Sequence, residues 1–132
     1  MHYLSRWLLV SVLLAVPITL ALSQDRDTLD IFVLDTEGGE AVLYIAPTGE
    51  AMMYDTGRPE NFNRILALVQ QEQVQVLDYV IVSHYHGDHV GNGGNLPRLP
   101  VRNIRQLLDH GPYTTELRPQ NRALFERYLT VR

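Results

Sequence analysis

Apolar residues form three short runs in the first half of the chain, and each run stops at turn-forming residues. The runs lie at residues 29–35, 41–46 and 51–55, and the segments between them are rich in glycine, proline and glutamate. Short apolar runs bounded by such residues are typical of β-strands. Because the turns are short, we expect consecutive strands to be antiparallel neighbours.

The spacing of apolar residues changes after residue 61. The next positions have the period of an amphipathic helix that ends near Glu72. Its apolar stripe consists of Phe62, Ile65, Leu66, Leu68 and Val69. Residues 77–83 predict a further strand, and the apolar run at residues 79–82 suits burial on both faces of a sheet.

The last part of the chain again predicts a strand and a helix. A loop rich in glycine, asparagine and proline precedes a predicted strand around residues 104–108. A final helix takes Pro119 in its first turn, where proline is favoured. Its predicted apolar stripe is Leu124, Phe125, Tyr128 and Leu129. Strands that alternate with helices in this way predict an α/β (α+β) fold.

Composition narrows the class of protein. A length of 132 residues suits one domain, and cysteine is absent, which excludes disulfides and thiolate metal sites. All basic residues are arginine, and acidic residues outnumber them to give a net charge of −4. This balance disfavours a broad basic surface for nucleic acid.

Residues 1–23 have the layout of a secretory signal peptide. Arg6 precedes a long uncharged run at residues 7–22, and small residues stand at Ala21 and Ser23 before a polar segment. The alternative is a retained membrane anchor, but this run would be only about 24 Å long as a helix, against a hydrocarbon core of roughly 30 Å. We therefore expect cleavage, export to the periplasm or the exterior, no stable membrane anchor, and a mature domain at residues 24–132.

The candidate chemistry lies directly after the predicted strand at residues 77–83. In an extended segment alternate side chains share one side, so His84, His86 and Asp88 can point together. A turn then brings His89 round to them, and Gly87 permits backbone conformations that other residues resist. Imidazole and carboxylate groups are preferred ligands of zinc and also of iron or manganese. The alternative is a histidine-rich surface loop with no metal.

The sequence SHYHGDHVGN at residues 83–92 resembles the HxHxDH signature of the metallo-β-lactamase superfamily. The DTG turn at residues 55–57 and the EGGEAVL segment at residues 37–43 are similar to two upstream motifs of that family. The resemblance extends over residues 30–108. The order of these motifs is most similar to exported hydrolases that resemble the hydrolase domain of DNA-uptake competence proteins.

This resemblance implies an αβ/βα sandwich with metals at one edge of its sheets. His84 and His86 would bind a first metal, and Asp88 and His89 a second, most simply two zinc ions. Asp88 would also act in catalysis by orienting the water that attacks an ester, amide or phosphodiester. Asp55 would brace the metal loop, although a simple turn aspartate explains it equally well.

The chain also departs from the family pattern. Members supply a further histidine, an acidic residue and another histidine from downstream strands, whereas His110 is the only histidine after His89. His110 is a candidate for a pocket or outer-sphere group, an extra ligand or a plain turn residue. The resemblance therefore predicts the N-terminal half of the sandwich, a partial domain that needs a C-terminal half.

Three functions follow from these observations. The first is an exported metal-dependent hydrolase, the second a non-catalytic metal-binding half that pairs with another chain, and the third a mononuclear iron dioxygenase of the same superfamily. The substrate, a small molecule or a phosphodiester, is not specified by the sequence. Arg98, Arg102 and Arg105 follow the metal loop and are candidates to meet an anionic substrate, or else lie on a solvated strand face.

Overall fold

The computed structural model describes residues 26–111 and 118–132. Within these ranges the chain forms one five-stranded sheet and two α-helices. The strands are β1 (Asp30–Val33), β2 (Val42–Ile45), β3 (Ala51–Tyr54), β4 (Val76–Val82) and β5 (Asn103–Asp109). The helices are α1 (Phe62–Gln71) and α2 (Pro119–Leu129). Each predicted element is present, and the α/β fold class is confirmed.

The sheet has the order β1-β2-β3-β4-β5 and a mixed topology. β1 and β2 are antiparallel, as are β2 and β3, which confirms the prediction from their short turns. β3 and β4 are parallel because α1 carries the chain back to the starting edge, and β4 and β5 are also parallel. The carboxyl ends of three neighbouring strands therefore meet at one edge of the sheet.

Helix α1 covers one face of the sheet. Its buried residues Phe62, Ile65 and Val69 lie on the predicted stripe. They join a core that contains Met53 and Val80 from the central strands. Burial of each such side chain contributes about 1.5–3 kcal/mol. This core holds β3 and β4 in register and so determines where their carboxyl ends lie.

Helix α2 packs over the loop that follows β4. Phe125 and Tyr128 are buried against Tyr85 and Val90 from that loop. Leu129, the last residue of the predicted apolar stripe, is 43% exposed, so only part of that stripe is buried. Helix α2 buries a narrow face, and residue 129 lies about 100° further round the helix than residue 128.

The other face of the sheet carries a set of exposed apolar side chains, which we call the open face. Its members are Ile31, Val33, Tyr79 and Leu108. The strand register aligns Ile31 with Tyr79 and Val33 with Leu108 across the sheet, so all four lie on the same side. The expectation that β4 is buried on both faces is thus wrong at Tyr79, which is 36% exposed, because α1 covers only the other face.

The predicted signal peptide at residues 1–23 lies outside the described residues. Within the two described ranges, none of the helices has the length and apolar character needed to cross a bilayer.

Candidate metal centre

The candidate residues meet because β3 and β4 run in parallel. Asp55 is the first residue after β3, and Ser83 is the first residue after β4. The backbone N–H of Asp55 donates to the carbonyl of Ile81 (2.8 Å), which continues the pairing to the ends of both strands. The side chains at these two ends therefore lie side by side at one edge of the sheet.

The loop after β4 turns from His86 onward, earlier than the extended segment up to Asp88 that the sequence predicted. The backbone N–H groups of His89 and Val90 both donate to the carbonyl of His86, at 3.0 and 2.9 Å. This turn gathers three imidazole rings. The ring centroid of His84 lies 4.0 Å from that of His89 and 4.7 Å from that of His86.

Asp55 connects the two strand ends through its buried carboxylate. Its side chain is fully inaccessible, and its backbone has a φ of +56°, a left-handed conformation that aspartate tolerates better than most residues. Oδ1 accepts the backbone N–H of Ser83 (2.7 Å), and Oδ2 accepts the Ser83 hydroxyl (2.6 Å). Oδ2 also lies 2.8 Å from Nδ1 of His89. These are the contacts that the bracing role of Asp55 requires, and a simple turn aspartate would not make them.

The hydrogen bonds of two histidines leave their outer nitrogens for a ligand. The Nδ1 atom of His89 is bonded to Asp55, and Nδ1 of His84 lies 3.0 Å from the hydroxyl of Ser83. A metal-binding histidine is commonly held in this way by the nitrogen that does not bind the metal. Burial, followed by the nearby His89 and His86, lowers the pKa of His84 and favours the neutral imidazole that binds metals.

Glu40 joins the site from the turn between β1 and β2. Ligand atoms of Glu40, Asp55 and His89 all lie within 4.8 Å of one another. The Glu40 backbone is held in place because its N–H donates to the carbonyl of Asp88 (3.1 Å) and its carbonyl accepts the N–H of Gly57 (2.7 Å). Sequence reasoning missed Glu40 as a site residue, since the available signal was only its place in the EGGEAVL segment.

A second set of hydrogen bonds holds the loop against the residues that follow β3. The backbone N–H and the hydroxyl of Thr56 both donate to the carbonyl of His89, at 2.7 and 2.9 Å. Asn92, which is 1% exposed, donates from its amide side chain to the carbonyls of Thr56 (2.9 Å) and Arg58 (2.5 Å). The loop is therefore held at its start by the hydrogen bonds between Ser83 and Asp55. Its later part is held by the hydrogen bonds of His89 and Asn92 to Thr56.

The structure gives a different reason for glycine at position 87 from the one that the sequence indicated. It was expected to allow an unusual backbone conformation, but its φ is not in the left-handed region. Instead, helix α2 approaches closely: a Cβ at this position would lie 2.9 Å from Cδ1 of Leu124 and 3.0 Å from Oδ1 of Asn121. The Gly87 N–H donates to that same Asn121 oxygen (3.1 Å). Glycine at this position lets the helix pack closely on the loop, and a larger residue would require the Leu124 and Asn121 side chains to shift.

His110 lies at the end of β5 and contacts the far side of the loop. Its exposed ring lies 4.5 Å from the ring of Tyr85. The hydroxyl of Tyr85 donates to the carbonyl of Gly111 (2.6 Å), and burial raises the pKa of Tyr85 to about 12, so the hydroxyl stays protonated at neutral pH. His110 thus contacts Tyr85, the residue between His84 and His86 in the sequence. Its role as a pocket group remains a prediction.

The donor set fits a metal ion. Three imidazoles and nearby carboxylates are suitable ligands for zinc, iron or manganese. The ring of His84 lies close to those of His86 and His89, and Asp88 lies in the same turn. Among the described residues, however, the ligand atoms found within 4.8 Å of one another are those of Glu40, Asp55 and His89. The identity of the ion and the assignment of each ligand stay predictions.

An open cleft of about 570 Å³ lies beside the loop. His86 and Asp88 line it on the loop side, and Arg58, Glu60 and Arg118 contribute its charged residues. The arginines that the sequence suggested for an anionic substrate lie elsewhere. Arg98 stacks over the ring of Phe62 at 4.5 Å, and Arg105 pairs with Asp78 at 2.7 Å.

A mixed sheet with a histidine-rich loop at the carboxyl ends of its parallel strands defines a class of metal-binding α/β protein. Residues 35–125 match the family model described as the metallo-beta-lactamase superfamily, and the chain belongs to this superfamily. It is 29% identical over 80 residues to a UPF0173 metal-dependent hydrolase of Pyrococcus horikoshii and 28% identical over 80 residues to one of Pyrococcus abyssi. Each match covers 59% of this chain and 33% of the relative, so the chain spans about one third of the length of these relatives.

Proposed function

We propose that this chain carries part of the active site of a zinc-dependent hydrolase, with His84, His86, Asp88 and His89 as metal ligands. The observation that carries this proposal is the pair of hydrogen bonds to Nδ1 of His84 and His89. They orient two imidazoles of one turn and leave Nε2 of each for a ligand. The names of the two relatives, both metal-dependent hydrolases, support the same reaction class.

The chain's own residues position the reactants. When bound, the metal supplies Lewis-acid chemistry that acidifies water and polarises the bond under attack. Asp88 accepts a hydrogen bond from the attacking water and orients it. The water oxygen bonds to the ester, amide or phosphodiester centre, the bond to the leaving group breaks, and the water proton ends on the leaving group. Asp55 holds His89 and Ser83 in place throughout.

Metal analysis of the full chain tests the ligand set. We expect zinc to copurify with the wild-type chain and to be lost from the His84→Ala and Asp88→Ala variants. Asp35→Ala is the matched control, since this aspartate is exposed and lies outside the site, and it should keep the metal. Equal zinc in all variants would refute the ligand assignment.

The reaction is tested with broad chromogenic substrates, a phosphodiester and a carboxylic ester, on the same preparations. Turnover that disappears in both ligand variants and persists in Asp35→Ala supports the hydrolase. The iron dioxygenase stays an alternative, and iron instead of zinc in protein from metal-balanced medium would favour it.

The open face favours a second candidate, a metal-binding half that is active only when another layer of the fold covers the sheet. Val33 is 77% exposed, and Ile31 on the same strand and Tyr79 and Leu108 on β4 and β5 are exposed on the same side of the sheet. An exposed apolar surface of this kind is typical of an interface. This candidate predicts zinc binding without turnover until the remaining part of the domain is supplied in trans.

Export belongs to the proposal as well. The leader layout at residues 1–23 supports it, and the order of the motifs, which resembles that of exported hydrolases similar to the hydrolase domain of DNA-uptake competence proteins, is in keeping with it. Both the likeness to that branch and the periplasmic or extracellular location remain predictions.

A further inference from the structure

The cleft beside the metal loop contains two arginines from distant parts of the chain. Arg58 follows β3, and Arg118 directly precedes α2. Both line the cleft that His86 and Asp88 also line. The fold therefore brings two arginines to the cleft beside the candidate active site.

Neither guanidinium is neutralised by the described part of the protein. Within residues 26–111 and 118–132, no carboxylate oxygen forms an ion pair with Arg58 or Arg118, whereas Arg64, Arg105 and Arg132 each pair with an aspartate. Glu60 and Asp88 also line the cleft, so the two arginines are balanced in number by two acids, but neither arginine is held by one of them in a direct ion pair.

The guanidinium of Arg58 is also held in one orientation. Its Nε donates to the carbonyl of Gly38 (2.9 Å), which leaves the two terminal amino groups for other partners. The first turn of α2 lies on the same cleft through Gln120 and Asn121, and Asn121 is tied to the loop by the N–H of Gly87. The positive end of this helix adds a favourable field for an anion.

The acidic residues of the cleft affect which anionic ligand it favours. Glu60 and Asp88 also line it, and Asp88 is a proposed metal ligand. A carboxylate is satisfied by the fork of a single guanidinium, whereas a phosphate ester offers more oxygens and more negative charge. Two guanidinium groups therefore match a phosphate better than a carboxylate.

We propose that this cleft is a phosphate-binding subsite, in which Arg58 and Arg118 hold the phosphoryl group of the substrate beside the metal loop. The inference rests on the proposed function, since it names the substrate class of that site as phosphate esters. Arg58 and Arg118 select the substrate, and Glu60 weakens binding by repulsion.

Binding of phenyl phosphate to the full chain tests this assignment, both as purified and after treatment with a chelator. We expect binding to persist without metal and to weaken about tenfold in each of Arg58→Gln and Arg118→Gln, the loss of one charge-assisted contact. Glu60→Gln should tighten binding severalfold. Arg127→Gln, near the other end of α2, is the matched control and should bind like the wild type.

Unchanged binding in Arg127→Gln, which removes the same charge outside the cleft, distinguishes a specific site from a general charge effect. Arg118 is exposed, so its variant remains informative even where Arg58→Gln folds poorly. Unchanged binding in Arg118→Gln, or equal affinity for benzoate and phenyl phosphate, would overturn the inference.

The same preparations separate this inference from the proposed function. His84→Ala should lose zinc and hydrolysis but keep phenyl phosphate binding. A chain that binds phenyl phosphate but no zinc would refute the hydrolase and support the subsite. A chain that binds zinc and cleaves neutral esters, with no arginine-dependent preference for phosphate, would refute the subsite.

Discussion

The carboxylate of Asp55 bonds to the imidazole of His89, with 2.8 Å between Oδ2 and Nδ1. Since a carboxylate only accepts hydrogen bonds, Nδ1 of His89 carries a proton, and the neutral tautomer compatible with this contact has its lone pair on Nε2. The two residues are 34 positions apart in the sequence. A buried residue at the end of β3 therefore sets the tautomer and the ring orientation of a histidine in the loop.

Asp55→Asn should weaken zinc binding by roughly 10–100-fold. An amide that places its nitrogen at the position of Oδ2 donates a hydrogen bond there, so His89 would turn the lone pair of Nδ1 toward that N–H and carry its proton on Nε2 instead. Zinc affinity is measured by competition with a chelating dye. Asp35→Asn, an exposed aspartate outside the site, is the control, and equal affinity in both variants would contradict the bracing role.

Asn92→Ala should destabilise the fold by about 2–4 kcal/mol, because the buried carbonyls of Thr56 and Arg58 would lose their donor. The free energy of unfolding is measured in urea. Asn95→Ala removes a neighbouring amide that donates to Asn92 (3.0 Å) and should cost about 1 kcal/mol or less. Similar losses in both variants would show that the tie between the loop and β3 is weak.

Asp109→Asn should destabilise the protein at pH 7 and much less at pH 3. Burial by itself would raise the pKa of Asp109, but hydrogen bonds from Gly111 and Tyr128 and the charge of Arg132 outweigh it and lower the pKa. A lowered pKa in the folded state means that the ionised carboxylate contributes stability above its ordinary pKa of 3.8, and that this contribution is lost as the pH falls through the folded value.

Urea unfolding at the two pH values checks this prediction, with an expected loss at pH 7 of about 1–3 kcal/mol. The hydroxyls that face Asp109 do not interfere, since the pKa of Tyr85 is raised to about 12 and that of Tyr128 is also raised. An effect of Asp109→Asn that is the same at pH 3 and pH 7 would rule out a stabilising carboxylate.

Val33→Lys should reduce self-association of the isolated chain without unfolding it. Val33 is highly exposed on the edge strand β1, so the free energy of unfolding should change by less than about 0.5 kcal/mol. A lysine on the open face opposes stacking of apolar surfaces. Sedimentation velocity compares this variant with Gln70→Lys, the same added charge on exposed α1. A wild-type chain that stays monomeric at high concentration would contradict the prediction.

The mature protein should begin at or near Gln24 when it is expressed in a bacterium with its native leader. The reason is the small-residue site at Ala21 and Ser23 that follows the uncharged run. Intact-mass measurement of the protein from the periplasm or the medium gives the answer. An intact mass equal to that of the chain starting at Met1 would show that residues 1–23 are retained.

Much of the fold was readable from local patterns. Apolar runs and turn residues indicated all five strands, and the helical period indicated α1 and α2, because these signals depend only on residues near one another in sequence. The exceptions were Tyr79 and Leu129, whose exposure depends on which faces other elements cover. The spacing of His84, His86 and His89 was likewise local, since alternation and one turn bring their rings together.

The remaining features were decided by tertiary structure. The sequence by itself determined the elements, the α/β class and the histidine motif. It did not show that Asp55 contacts Ser83 and His89, because that contact depends on the parallel register of β3 and β4. It also did not show that Arg58 and Arg118 share a cleft, since packing of α2 on the loop sets their positions. Contacts between distant residues require a common core, and no local pattern encodes them.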